Sequence, residues 1–148
     1  MPRKLDTKEY LDTVCQLLSQ GHSCVPVPVA GTSMTPFLQP GDTVYLDLPR
    51  RNPKKGDIVL FVRPDGRYVL HRIVAVNRDG SYILLGDSQT MRETVDSVHR
   101  IRARVTGASH RGKRMTPKSF RWWFFATVWR IMEPLRPRLW GLWYRLCR

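Results

Sequence analysis

The sequence predicts a small, mainly β domain that follows an N-terminal helix and precedes a C-terminal helical tail. Short apolar runs alternate with tight-turn dipeptides, and a length of 148 residues with 42% hydrophobic content suits one domain with a modest core. Five or six short antiparallel strands favour a compact, coiled or partly closed, barrel-like sheet. The predicted segments are an amphipathic helix in residues 1–24, the β domain in 25–110 and an amphipathic helical tail in 111–148.

The first predicted element is an amphipathic helix from about Thr7 to Gln20. Its apolar side chains fall on one face, at Tyr10, Leu11, Val14, Leu17 and Leu18. Asp6 followed by Glu9 fits a variant of the capping box, and Gly21 fits the position just beyond the helix. We expect this helix to cover a sheet or to offer a surface to a partner.

Two hairpin signals mark the β domain. Asp65-Gly66 divides the apolar run DIVLFVRPDGRYVLHRIVAV, and Asp79-Gly80 separates HRIVAV from SYILLGD. Both dipeptides suit tight turns because Asp and Gly tolerate positive φ. A last strand is predicted near Val98 to Val105, ahead of the polar linker TGASHRGKR.

Charge and cysteine content narrow the function classes. Residues 111–148 hold ten of the 25 Lys and Arg residues and one of the 12 acidic residues, so a cationic tail follows a nearly balanced domain. Cys15, Cys24 and Cys147 form no C-x-x-C pair, and we therefore expect no disulfide framework, metal site or cofactor. The first 21 residues lack an apolar core, which predicts neither a signal peptide nor a membrane anchor and places the chain on the cytosolic side.

The tail combines aromatic and cationic residues. It holds all five tryptophans of the protein, namely Trp122, Trp123, Trp129, Trp140 and Trp143. Charged residues and prolines between positions 130 and 137 interrupt its apolar stretch, which is shorter than the ~20 residues that a bilayer span needs. Indoles at the headgroup level and Arg beside anionic lipid favour peripheral attachment to a membrane. The alternative is that these aromatics pack on the domain.

A serine in an irregular turn is the candidate nucleophile. Ser33 lies in VAGTSMTPFLQPGD, a segment that contains two glycines and two prolines. Its hydroxyl could cap a short helical turn. Alternatively, a serine held on such a stiff corner could act as a nucleophile if a base lies beside it.

His71 and Asp87 are the candidate partners of this serine. His71 lies in YVLHRIVAV, where apolar neighbours would hold its ring in one orientation, although a plain core histidine is the alternative. Asp87 ends the next strand, in LLGDSQT, so its carboxylate could reach and orient the imidazole. Asp87 could equally be an ordinary turn residue, and Asp96 is a weaker candidate for the same role.

Four blocks in order, GTSMTPFLQPGD, KKGDIVLF, LHRIVAV and ILLGDSQ, resemble the signature of type I signal peptidases and LexA-like serine peptidases over about Val29 to Val105. The resemblance implies a coiled β-rich fold and peptide-bond hydrolysis with Ser33 as the nucleophile. His71 falls where many bacterial members carry Lys and the endoplasmic reticulum type carries His, and Asp87 matches the Asp of that type's GD block. The chain thus resembles a small, stand-alone bacterial-type member of the Ser-His-Asp branch.

Three features depart from the family pattern. Gly31 occupies a place where many signal peptidases carry a hydroxyl residue that assists the oxyanion hole, which leaves backbone N–H groups, chiefly that of Ser33. The amino-terminal membrane anchor of signal peptidases is not recognisable. The Trp-rich tail has no counterpart in the family pattern.

The leading functional hypothesis is a serine endopeptidase that binds its peptide or protein substrate as an added β-strand. The alternative is a catalytically inactive module of the same fold that docks on a membrane or a protein partner. Arg interleaved with aromatics could also stack on single-stranded nucleic acid. No reader module is recognisable, so we expect no specific nucleic-acid binding.

Overall fold

A computed structural model describes residues 6–146, apart from the side chain of Trp143. These residues form an eight-stranded antiparallel sheet and three α-helices. The helices are α1 (Thr7–Ser19), α2 (Phe120–Ile131) and α3 (Arg136–Leu146), with short 3-10 turns at Val98–Arg100 and Glu133–Leu135. The strands are β1 (Val25–Pro28), β2 (Thr43–Asp47), β3 (Ile58–Val62), β4 (Tyr68–Val76), β5 (Tyr82–Leu85), β6 (Glu93–Val95), β7 (Ile101–His110) and β8 (Lys113–Met115). The prediction of a mainly β fold with an N-terminal helix and a C-terminal helical tail is confirmed.

The sheet is open, with strand order β1-β2-β7-β3-β4-β5-β6. The long strand β7 joins its two parts. One side of β7 pairs with β2, while the other side pairs first with β3 and then with β8. Instead of a closed barrel, the strands form an open sheet whose order begins at β1 and ends at β6.

Both predicted hairpins are present, but each loop has three residues rather than two. Gly66 and Gly80 have φ of +84° and +85°, whereas Asp65 before the first of them does not have positive φ. The Arg63 N–H donates to the Arg67 carbonyl at 2.9 Å and closes the first loop. This geometry is a type I turn followed by a left-handed glycine, so the aspartate does not need the strained conformation.

Helix α1 begins at the predicted residue and ends one residue early. The Gly21 N–H donates to the Leu18 carbonyl and the His22 N–H donates to the Leu17 carbonyl, both at 3.1 Å. These two bonds form the Schellman motif that the glycine predicted. Asp6 forms no side-chain hydrogen bond at the other end, so the predicted capping box is not formed.

Two apolar cores lie on opposite faces of the sheet. The larger core packs α1 and α2 against one face, and the smaller core covers the other face of β3 to β6. Strand β3 contributes to both, because Ile58 and Leu60 face the larger core while Val59 and Phe61 face the smaller one. This alternation follows from the two-residue period of a strand.

Beyond residue 110, where the predicted tail begins, part of the chain contacts the β domain. Strand β8 continues the sheet beside β7, and the ring of Trp122 packs edge-on against Phe37 with centroids 5.2 Å apart. Trp122 and Phe125 belong to the larger core, whereas Trp123 is 52% exposed. Part of the tryptophan cluster therefore packs on the domain and is not available to a membrane. None of the helices in residues 6–146 is both long and apolar enough to cross a bilayer.

We expect Trp122→Ala to lower the free energy of unfolding by about 3–5 kcal/mol, because it leaves a cavity in the larger core. Trp123→Ala, one residue further along the same helix, removes an exposed ring and should cost well under half of that. Guanidinium denaturation followed by far-UV circular dichroism measures both values. Equal stability of the two variants would contradict the packing of α2 described above.

Candidate active site

A cavity of about 640 Å³ lies between α1, β1 and the adjoining ends of β3 and β4. Ser33 and His71 both line it, so the structure brings two of the predicted site residues to one space. Arg63 and Gln89 add polar groups to the wall. The remaining lining is largely apolar and includes Tyr10, Leu11, Val27, Leu60 and Leu70.

The backbone of Ser33 is held by the segment that follows β5, residues 86–89, here called the GDSQ loop. The Ser33 carbonyl accepts hydrogen bonds from the Ser88 N–H at 3.0 Å and from the Ser88 hydroxyl at 3.1 Å. The same hydroxyl contacts the Thr32 carbonyl at 2.9 Å. A Cβ atom on Gly86 would lie 2.6 Å from the Ser33 carbonyl oxygen, so only glycine allows the two segments to approach this closely.

The Ser33 hydroxyl is not used as a helix cap. Among residues 6–146, no group forms a hydrogen bond with the Ser33 Oγ, and the side chain is half-buried at the cavity wall. The turn that follows is closed by backbone hydrogen bonds. In one of them the Leu38 N–H donates to the Met34 carbonyl at 2.9 Å. The hydroxyl is thus free to meet a group that enters the cavity.

His71 is held in the sheet with its ring almost fully covered. It lies opposite Val59 on β3, is 1% exposed and packs at a tilt against the ring of Phe61, with centroids 5.9 Å apart. Its Nδ1 is buried without a hydrogen-bond partner in the described part of the chain, and lies 3.8 Å from Glu93 Oε1. Burial lowers the pKa of His71 to about 4, although the charge of Glu93 opposes that shift. The imidazole is therefore neutral at neutral pH.

Glu93, on β6, is the carboxylate nearest to this imidazole, and the sequence analysis did not identify it. Arg63 donates two hydrogen bonds to it, one from Nε to Oε2 at 2.9 Å and one from Nη2 to Oε1. The bond from Arg63 lowers the pKa of Glu93, because it stabilises the charged form. An ionised carboxylate with a fixed orientation thus lies beside His71.

Asp87 does not contact His71 as expected. Its carboxylate instead accepts bonds from Arg72 Nε at 2.9 Å and Arg72 Nη2 at 2.8 Å, and both side chains are buried. Arg72 pairs with Leu85 across β4 and β5, so Asp87, two residues beyond Leu85, continues on the Arg72 side of the sheet. Successive residues of a strand point to opposite faces, which turns His71 away from Asp87.

The other carboxylate considered from the sequence, Asp96, lies away from the cavity. Its side chain is 75% exposed and lies 3.7 Å from Arg100 Nε. Glu93, in contrast, lies on the same face of the sheet as His71. It pairs with Leu84, which pairs with Ile73 on β4, two residues from His71 and on the same face.

The C-terminal helices support the GDSQ loop, which the sequence did not indicate. Trp129 Nε1 donates to the Asp87 carbonyl at 2.8 Å. The buried guanidinium of Arg136 donates to the Gln89 carbonyl at 3.3 Å and to the Trp129 carbonyl at 3.1 Å. The loop that holds the Ser33 carbonyl is therefore also held by α2 and by the first residue of α3.

The candidate site includes a hydroxyl, a neutral imidazole and an ionised carboxylate. No group of three or more His, Cys, Asp or Glu residues that could hold a metal ion occurs within residues 6–146. A neutral imidazole can accept a proton from a hydroxyl, and a neighbouring carboxylate can stabilise the resulting cation.

Comparison with known protein families matches residues 3–106 to the family described as Peptidase S24-like. No curated protein and no solved structure matches the chain significantly. The matched segment covers more than half of the 148 residues and includes Ser33, His71 and the GDSQ loop. The chain therefore belongs to the Peptidase S24-like family.

Proposed function

We propose that this protein is a serine endopeptidase in which Ser33 is the nucleophile and His71 is the general base. The observation that carries the proposal is that residues Ser33 and His71 both line one cavity in a domain of a peptidase family. The use of His rather than Lys as the base, which defines the Ser-His branch, is part of the proposal.

In the proposed reaction, the Ser33 Oγ bonds to the carbonyl carbon of the substrate while its proton passes to His71. The imidazolium then gives that proton to the leaving amine as the peptide C–N bond breaks, which leaves an acyl-enzyme. A water molecule, deprotonated by His71, hydrolyses the ester and restores the serine. The Ser33 N–H has no acceptor within residues 6–146, so it is available to the oxyanion that forms in each step.

Glu93 takes the positioning role that the sequence analysis gave to Asp87. Its Oε1 lies on the Nδ1 side of His71, so a modest approach from 3.8 Å would form the hydrogen bond that fixes the imidazole tautomer. The negative charge also favours the imidazolium that forms during the reaction. Asp87, whose carboxylate is bound by Arg72, acts on the site through the GDSQ loop instead.

The edge strand β1 supports an extended peptide as the substrate. The Val29 N–H donates to the Asp42 carbonyl on the β2 side at 2.7 Å, so Val25 and Val27, in the same alternation, also face β2. Pro26 and Pro28 then present outward carbonyls and no N–H. A substrate strand added to β1 must therefore donate its own N–H groups to these carbonyls, with apolar side chains entering the cavity.

A fluorophosphonate probe tests the nucleophile. We expect it to label the wild-type protein and to leave Ser33→Ala unlabelled, because the probe forms a bond only with an activated serine hydroxyl. Ser23→Ala, which removes an exposed hydroxyl outside the cavity, should be labelled like the wild type. In-gel fluorescence measures the labelling. A wild-type protein that is never labelled and cleaves no peptide would support a non-catalytic binding module instead.

The pH dependence tests the base. Because the pKa of His71 is lowered to about 4, kcat/KM on a peptide substrate should stay constant from pH 8 to about 5 and fall below that. The free energy of unfolding should already decline below about pH 6.5, since the unfolded histidine binds a proton that the folded one does not. Circular dichroism at each pH separates the two effects. A kcat/KM that stays constant through pH 4 in folded protein would contradict the assignment of His71 as the base, whereas a midpoint near 6.5 would contradict only its lowered pKa.

Replacing Glu93 or Asp87 by its amide should have different effects, on activity for Glu93 and on stability for Asp87. Glu93→Gln keeps a hydrogen-bonding side chain beside Arg63, so we expect stability to change little, kcat to fall at least tenfold and the acid limb to move to lower pH. Asp87→Asn leaves Arg72 buried without its counter-charge and should cost about 3–5 kcal/mol of unfolding free energy. Denaturation and pH profiles of both variants provide the comparison. If Asp87→Asn moves the acid limb and Glu93→Gln does not, Asp87 is the orienting group.

A further inference from the structure

Helix α2 is apolar on two opposite sides, and the domain covers only one of them. The inner side places Trp122 and Phe125 in the larger core. Phe120, Trp123 and Ile131, here called the outer stripe, are spaced by three and eight residues and are 75%, 52% and 71% exposed. A helix that is apolar all round is normally covered on all sides. The outer stripe therefore calls for a further covering surface.

The remainder of the C-terminal segment has the same character. Four more large apolar side chains are exposed beyond α2, namely Leu135, Leu142, Tyr144 and Leu146. Among the large apolar residues that are exposed in the described part of the chain, seven of eleven lie between positions 120 and 146. This concentration, rather than any single exposed residue, marks an interaction surface.

Charge identifies the kind of surface that would cover it. Six exposed cationic residues flank or follow the outer stripe, namely Arg111, Lys113, Arg114, Lys118, Arg138 and Arg145. The one acidic residue in this segment, Glu133, is bound by Arg92 at 2.6 Å and adds no free negative charge. A second copy of the same segment would bring cations against cations, which disfavours self-association.

We propose that the outer stripe of α2 and the apolar residues of α3 dock in the interfacial region of a membrane rich in anionic lipid. Aromatic side chains such as Trp123 favour the headgroup level, and exposed Lys and Arg are attracted by the negative surface. This combination of exposed apolar and cationic residues matches interfacial helices that lie on a bilayer. The proposal does not depend on catalysis at Ser33.

Co-sedimentation of the full-length protein with lipid vesicles tests this proposal. We expect the wild type to pellet with vesicles of phosphatidylcholine and phosphatidylglycerol and to bind at least tenfold more weakly to phosphatidylcholine alone. Salt at about 1 M, where the Debye length is ~3 Å, should release most of the bound protein. Failure of the wild type to bind the anionic vesicles would overturn the proposal.

A matched pair of variants locates the contact. Phe120→Ser/Trp123→Ser/Ile131→Ser should bind anionic vesicles at least tenfold more weakly and keep the wild-type circular dichroism spectrum. Leu48→Ser/Met91→Ser/Val98→Ser removes three exposed apolar side chains outside the tail and should bind like the wild type. Equal binding by both triple variants would show that the outer stripe is not the contact.

Two further measurements distinguish insertion of Trp123 into the bilayer from self-association through the outer stripe. Brominated lipid should quench the fluorescence of the wild type more than that of Trp123→Phe, since an interfacial indole lies within reach of the acyl chains. Sedimentation velocity without lipid should give a monomer for the wild type. A wild-type dimer that the outer-stripe variant converts to a monomer would assign the stripe to self-association and overturn the membrane proposal.

Discussion

The buried ion pair between Arg72 and Asp87 fixes the geometry on which the candidate site depends. Two buried charges are tolerated only if they form an ion pair with each other. Here the guanidinium donates two hydrogen bonds to the carboxylate in a bidentate ion pair. The pair attaches the GDSQ loop to β4. That loop in turn holds the Ser33 carbonyl and receives the indole N–H of Trp129. Sheet, serine and tail are thus connected through one pair of charges.

Because successive residues of a strand point to opposite faces, the Arg72–Asp87 pair lies on the other face of β4 from His71 and Glu93. His71 and Arg72 are neighbours in the sequence, yet the imidazole lies beside Phe61 and Glu93 while the guanidinium holds Asp87. Each face of β4 therefore has its own charge balance. On the His71 face, burial disfavours the imidazolium while the charge of Glu93 favours it, so the imidazole is neutral at neutral pH and lies beside an anion.

The sequence was informative wherever a feature is local. The Gly66 turn, the end of α1 at Gly21 and the irregular turn at Ser33 are each encoded by a few adjacent residues. Which carboxylate lies beside His71 was not predictable in this way. Adjacency of β4 and β5 was correct, but which side chains share a face depends on register, including a shift between Ile73 and Ala75. A one-residue change of register exchanges the two faces, and composition does not encode it.

In the tail, too, the sequence does not determine which side chains are buried. The contacts of α2 with the domain fix the orientation of its outer stripe. Composition predicted aromatic, cationic helices but not which indoles enter the core. Rotation of α2 about its axis would bury Trp123, but it would also withdraw Trp122 from Phe37 and break the bond from Trp129 to the GDSQ loop. The inner contacts therefore fix the helix in one orientation. Within residues 6–146 the domain leaves the outer stripe exposed, which is why we propose an external surface for it.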